Sequence, residues 1–442
     1  MSRPAVKVVG GGLAGAEAVW TLASRGIRVI LYEMRPRTST PAHKTDFLAE
    51  VVCSNSFGAD APTSPAGILK RELRSLGSLI MECADKARVP AGKALAVDRD
   101  IFSGLVTEAL ENHPLVEIVR EEVTSIPEGP AIIATGPLTS PSMAEEIKKL
   151  AGEDYLSFFD AIAPVVEADS IDMAIAFRRG RWGQEDDYIN CPFTREEYEA
   201  FIKALTTAER AAPHDFEDSP SWFEGCLPVE VMASRGLDTL RFGPMRPVGL
   251  PLPGTDREAW AVAQLRQDNK EGTLYNIVGF QTSLRWGEQE RVFRMIPGLE
   301  RAEFARFGVM HRNIYVNAPA ALDPFLRFKG GPPDLFLAGQ ITGVEGYLES
   351  TAMGLAAALN AAALLLEKPF PRWPRETAVG ALLHYLGDAV ERRFQPMNVN
   401  LGIFPPPGEK VRNKARRAEL TALRAEEAFS RLLAALEDPA DR

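Results

Sequence analysis

The stretch from 6 to 33 constrains this chain more than any other. Val6-Lys7-Val8-Val9 is a short apolar run, Gly10-Gly11-Gly12-Leu13-Ala14-Gly15 follows it, and residues 16–24 carry a helical pattern that Gly26 ends. Arg28-Val29-Ile30-Leu31-Tyr32 is a second strand-like run, closing on Glu33. This is G-x-G-x-x-G between a strand and a helix, with an acidic residue about 20 positions on, the arrangement of a dinucleotide-binding βαβ unit. Gly10 permits the tight turn, Gly12 lets backbone approach a pyrophosphate, and Gly15 lets helix and strand pack closely. The helix start offers free N–H groups and partial positive charge to phosphate. Glu33 is placed to accept hydrogen bonds from a ribose, and its charge disfavours a 2′-phosphorylated cofactor. It does not separate NAD from FAD.

That separation comes from further along. Residues 130–136 read as a buried strand ending Ala-Thr-Gly, as the closing strand of a nucleotide-binding unit does. The same texture returns at 334–339, a strand meeting Gly339, followed by a loop over 340–347 and a helix over 350–366. A second strand–glycine–helix element favours FAD, whose ribityl chain and flavin need holding. Between these halves, from about 164 to 317, short alternating segments, aromatics and prolines dominate, which reads as an inserted domain. Strands are expected at 171–177, 259–265 and 273–278, and a helix over 194–205 opened by Thr194 with glutamates in its first turn. Residues 46–58 have a helix-to-loop look, 67–87 read as one helix, and a charged helix with a basic start (Lys410, Arg412, Lys414, Arg416, Arg417) ends the chain.

Bulk properties remove other classes. A chain of 442 residues, 45% hydrophobic and 25% charged, has room for two or three globular domains. No apolar run reaches membrane-spanning length and no secretory signal precedes the first strand, so a cytoplasmic location is expected. The four cysteines, Cys53, Cys83, Cys191 and Cys226, have neither C-x-x-C nor zinc spacing, so no metal is expected and each is judged as a thiol. The net charge of −10 argues against nonspecific coating of nucleic acid, though not against a local basic groove.

Several strings together resemble one family: the glycine loop, residues 50–56 (Glu-Val-Val-Cys-Ser-Asn-Ser), 223–230 (Phe-Glu-Gly-Cys-Leu-Pro-Val-Glu), 279–289, 339–347 and 394–398. The chain is similar to the TrmFO family, folate- and FAD-dependent tRNA uracil-5-methyltransferases, over nearly its whole length. The resemblance implies an α/β fold: a Rossmann-like FAD-binding domain of the glutathione-reductase type, in two parts (1–165 and 318–442), with an inserted α+β domain (166–317) for tRNA. It implies methylation of the T-loop uridine at C5, with 5,10-methylenetetrahydrofolate as carbon donor, reduced FAD as reductant and NAD(P)H to restore it. The implied cofactor residues are Gly10, Gly11, Gly12, Leu13, Ala14, Gly15, Glu33, Gly339, Gln340, Gly346 and Tyr347.

The residues suit such chemistry. Uracil C5 is a poor nucleophile until a thiolate adds at C6, so an activated cysteine is wanted, with a base to take the C5 proton. Cys226 sits in a loop-like Glu-Gly-Cys-Leu-Pro setting and Cys53 in a polar segment. In the family both matching cysteines are functional, and we expect Cys226 on the uracil and Cys53 near the flavin. Cys83 and Cys191 are expected to be dispensable. Glu224, Glu230, Glu345 and Glu349 are the acids near these motifs. For tRNA, Arg285, Arg291, Arg294, Arg301, Arg306, His311 and Arg312 recur with Trp286 and Phe293 between them, cations for phosphate and aromatic faces for bases. Glu288, Glu290, Glu300 and Glu303 interleave, which would equally make a solvated helix face. Two alternatives stay open: an enzyme like MnmG that modifies the tRNA wobble uridine, and a non-catalytic flavin-binding RNA scaffold. Oligomeric state is not legible.

Overall fold

A computed structural model describes residues 4–40, 42–152, 155–183, 185–211, 227–389, 394–408 and 411–437. The apolar runs around the glycine loop assemble into one parallel sheet. Its order is Leu335–Leu337, Ala131–Ile133, Val6–Val9, Val29–Tyr32, Val116–Val119. Val8 lies between Ile132 and Leu31 in register, and all three side chains are fully buried. Continuous Val/Ile/Leu runs suit strands covered on both faces. The edge strand arrives from some two hundred residues later, so the two halves of the chain close on one core.

Helix Leu13–Ala23, leaving the glycine loop, packs against the long helix Tyr347–Leu365. The crossing is tight because both surfaces are small: a Cβ on Gly354 would stand 2.2 Å from the Ala14 carbonyl oxygen. Among the described helices Tyr347–Leu365 alone is long and apolar enough to cross a membrane, but it lies buried in this core.

A second, antiparallel sheet has the order Phe177–Arg178, Tyr188–Phe193, Ala261–Gln267, Leu274–Ile277, Val165–Glu167, Phe304–Arg306. It has its own hydrophobic core, in which Phe193, Phe201, Phe280 and Phe293 meet edge-to-face or tilted. Strands Tyr155–Ala161 and Met310–Val316 pair antiparallel and carry the chain out of the first core and back. Helix Arg195–Thr207 begins at the N-cap expected at Thr194, and the structure adds a capping box: the Thr194 hydroxyl accepts from the Glu197 N–H, and the Glu197 carboxylate accepts from the Thr194 N–H.

Three local expectations change. The single helix over 67–87 is two, Pro65–Ser75 and Leu79–Lys86. Gly77 turns the chain at φ +74° and Ser78 caps the second helix by accepting from the Met81 N–H. Only Phe177 of the strand expected at 171–177 is in the sheet, because the Asp172 carboxylate accepts from the Ala174 N–H and turns the segment. Residues 46–53 form no helix; side chains from elsewhere hold them.

Candidate active site between the glycine loop and the Cys53 loop

The glycine loop is shaped by what leaves it no room. Gly10 has φ +100°, and a Cβ there would sit 2.5 Å from the Ala134 carbonyl oxygen; a Cβ on Gly15 would sit 1.8 Å from the Gly10 carbonyl. Gly12 is different, since a Cβ would meet nothing within 4 Å. Its open side faces the cavity, at a helix start where Gly12 brings no side-chain cap. The first N–H groups of this helix have no intrahelical acceptor and point to that space.

Glu33 ends the second strand beneath the loop. One carboxylate oxygen accepts from the Gly11 N–H at 2.9 Å; the other accepts from the Arg35 N–H and guanidinium at 3.0 and 2.9 Å. Burial pushes its pKa up, but the bonds and charge of Arg35 outweigh that and hold it below the usual carboxylate range. The oxygen facing Gly11 keeps one acceptor site, the capacity a ribose hydroxyl requires. Arg35, itself buried, bridges on to Glu50 at 3.0 Å. His43 lines the same cavity, its pKa pushed down to about 4 by burial and then by Arg35, so the ring is neutral.

These residues line a cavity that runs from the glycine loop past Thr135 to Gly339, Gln340 and Tyr347. Leu13 and Ala14 lie on its wall, whereas Gly15 and Gly346 act from behind, as packing and turn residues. Gln340 donates to Glu345 at 2.6 Å. Glu349 accepts from the Val399 N–H at 2.8 Å, and burial pushes its pKa up to about 7. The tail motif lies on this turn: Phe394 covers Gly343, and Met397 exchanges backbone bonds with Gly343 and Glu345.

At the far end stands the Cys53 loop. The Tyr347 hydroxyl accepts from the Cys53 N–H at 2.8 Å and the Ser54 N–H at 3.1 Å. The preceding carbonyls are held by arginines: Val51 by Arg99 and Val52 by Arg306, the latter at 3.4 Å. Asn55 is buried and donates to Val97 and Gln267 carbonyls, while Arg266 donates to Ser54 and Asn55 side chains. Arg99 is itself fixed by both oxygens of Asp268, at 3.0 and 3.2 Å. Cys53 is thus clamped between the two sheets, half-buried, with Arg99 near enough to interact electrostatically with it and with Tyr347.

The remaining sites divide. Cys226 and Glu224 lie outside the described residues. Cys83 and Cys191 are buried, and burial pushes both thiols up, Cys83 to about 12. Glu230 is a structural clamp, accepting from Thr282 and twice from Ser283. Arg285, Arg291 and Arg294 each face a carboxylate, of Glu209, Glu288 and Glu290, at 2.9, 2.6 and 2.7 Å. Trp286 is 63% exposed and stacks on Phe307. Arg306 lies instead at the Cys53 loop, and the side chains of His311 and Arg312 are not described. Sequence reasoning missed Arg35, Arg99, Arg266 and Asp268. Their one local signal was the Asp98 cap ahead of Arg99, which marks a helix start but not a partner in another sheet.

The family model described as glucose inhibited division protein A matches residues 5–369. The methylenetetrahydrofolate--tRNA-(uracil-5-)-methyltransferase TrmFO of Moorella thermoacetica is 59% identical over 428 residues, covering 96% of this chain and 97% of that one. The enzyme of the same name from Listeria monocytogenes is 56% identical, covering 97% and 98%. The structure of Aquifex aeolicus GidA superposes with a TM-score of 0.69 at 17% identity, over 99% of this chain and 74% of that one, a likeness of fold.

Proposed function

This chain belongs to the TrmFO family of GidA-type flavoproteins, and on that premise we propose that it methylates C5 of the T-loop uridine of tRNA, position 54. The carbon donor is 5,10-methylenetetrahydrofolate and the cofactor is FAD, with NAD(P)H as co-substrate. The cavity fits FAD: Gly10 to Gly15 and the helix start would hold the pyrophosphate, Glu33 the ribose, and Gly339, Gln340 and Tyr347 the flavin end. Gly346 turns the chain so that Tyr347 starts its helix there. When bound and reduced, FAD supplies the reducing equivalents that convert the transferred carbon to methyl.

The chain's own residues do the rest. A cysteine thiolate adds to uracil C6 and makes C5 nucleophilic; C5 takes the methylene carbon and loses its proton to a base, tetrahydrofolate leaves as its bond to that carbon breaks, and once the carbon is reduced to methyl the C6–S bond breaks and releases the thiolate. Cys226 takes the nucleophile's role in this reading and Cys53 the place beside the flavin. The observation that carries it is the Tyr347 hydroxyl on the Cys53 and Ser54 N–H groups, which ties a thiol loop to the helix that closes the cofactor cavity. The target uridine is flipped out of its loop to reach this point. We place the tRNA along the second sheet's domain (166–317), with Arg285, Trp286, Arg291 and Arg294 as one contact and Trp286 as its stacking face. A cytoplasmic location follows from this substrate.

The test is transfer of label from methylene-labelled methylenetetrahydrofolate into a T-loop transcript, with FAD and NADPH present. Label at C5 of the T-loop uridine supports the reading, and Cys226→Ala is expected to abolish it while keeping FAD. No label from FAD-loaded protein would overturn it and turn attention to the wobble uridine.

A further inference from the structure

The second sheet carries an aromatic and cationic cleft that the reaction above does not use. Its lining includes Arg241, Phe242, Arg246, Val248, Glu258 and Trp260. Phe242 in this lining is 76% exposed, and Trp182, packed on Gly249 next in sequence to the lining residue Val248, is 70% exposed; they are the two most exposed large apolar side chains described. Trp182 is held in place from behind, and Phe242 has the Arg241 guanidinium 5.9 Å from its ring centroid. Trp182 sits at φ +60° with its ring against Gly249, where a Cβ would come within 2.9 Å of it. Arg181 beside it is locked to the Arg246 and Val248 carbonyls at 2.7 Å each.

The floor is cationic. The Arg241 guanidinium lies 3.9 Å over the Trp260 ring and donates to the Trp260 carbonyl; Arg195 approaches the same ring at 5.2 Å but is already paired with Glu199 at 2.8 Å. Arg241 and Arg246 have no carboxylate partner among the described residues. Among the described residues Glu258 is the one acid in this lining, and it accepts from the Gly249 N–H. This inverts the Trp286–Phe293 helix, where each arginine already faces a glutamate. Exposed aromatic faces beside unneutralised guanidinium groups suit a polyanion with unpaired bases, because every base has a stacking face and every linkage a charge. A protein partner with an apolar face would leave Arg241 and Arg246 desolvated and unpaired.

We infer that this cleft binds RNA, stacking bases of the substrate tRNA on Phe242 and Trp182 with Arg246 on the backbone. The inference rests on the tRNA reading above and adds a contact away from the reacting base. Strand Ala261–Gln267 links Trp260 to Arg266 of the Cys53 loop, a span of roughly 20 Å at about 3.3 Å per residue, or about six nucleotides of stacked strand.

The test is equilibrium binding of a tRNA transcript to full-length FAD-loaded protein without folate, across a salt series. Phe242→Ala and Trp182→Ala are each expected to weaken binding by about 5- to 100-fold. Arg246→Gln is expected to lower the slope of log affinity against log salt by about one. All three side chains are outside the core, and an unchanged flavin spectrum checks folding. Wild-type binding that none of the three changes overturns the cleft while leaving the tRNA reading intact; wild-type protein that binds no tRNA overturns both. Loss of a homodimer in the aromatic variants, with tRNA affinity unchanged, assigns the cleft to a second copy and overturns the proposal.

Discussion

Tyr347→Phe isolates the contact that ties the glycine-loop cavity to the Cys53 loop. The substitution keeps the ring, which packs on Phe57, and removes only the oxygen accepting from Cys53 and Ser54 N–H groups at 2.8 and 3.1 Å. Each neutral hydrogen bond contributes a net of about 0.5–1.5 kcal/mol, and a fully buried orphan donor costs about 1–3 kcal/mol. Cys53, Ser54 and Tyr347 are half-buried, so water replaces part of what is lost and the lower range applies, about 1–3 kcal/mol for the pair. At 1.4 kcal/mol per decade that is a roughly 5- to 150-fold rise in opening of the loop. A two-core protein need not unfold in one step, so local opening is the right readout. Hydrogen exchange at the Cys53 and Ser54 amides should accelerate by that factor, with faster alkylation of Cys53 and flavin absorbance retained. Exchange and alkylation equal to wild type would refute the clamp, whatever happened to turnover.

Other outcomes follow from the same geometry. Burial raises the pKa of Glu72 to about 8 and of Glu17 and Glu349 to about 7, above the unfolded carboxyl value of 4.5. Folding therefore takes up protons at these sites: their contribution is fully present below pH 4.5 and is lost as pH rises through 7–8. The thermal midpoint should fall between about pH 5 and 8, less steeply in Glu72→Gln; a flat or rising midpoint in wild type over that range would contradict this. Gly15→Ala should lose the fold and the flavin together, whereas Gly12→Ala should fold but bind FAD more weakly, since its Cβ enters only the open cavity side. Visible flavin absorbance and circular dichroism separate the two. Charge reversal at Arg285 and Arg291 should weaken tRNA binding, more at low salt than at high, because the glutamates that now face them would repel. Unchanged affinity would remove that helix from the RNA path.

The legible part of this chain is the part whose physics is local. Gly10 to Gly15 must stand between Val6–Val9 and Leu13–Ala23 because a close backbone crossing forbids Cβ atoms, and that exclusion is written in consecutive residues. The return strand before Gly339 and the N-cap at Thr194 were readable for the same reason. What tertiary structure alone decided are the long-range pairings. Nothing near Cys53 in sequence announces that Tyr347, Arg99, Arg266 and Arg306 fix its backbone, because those partners lie 46 or more positions away on other elements. Nor does sequence order tell an arginine facing a glutamate from one beside an open aromatic cleft. Charge type is a property of the residue; whether the charge is spent is a property of its neighbours in space, and those are set by the packing of two cores.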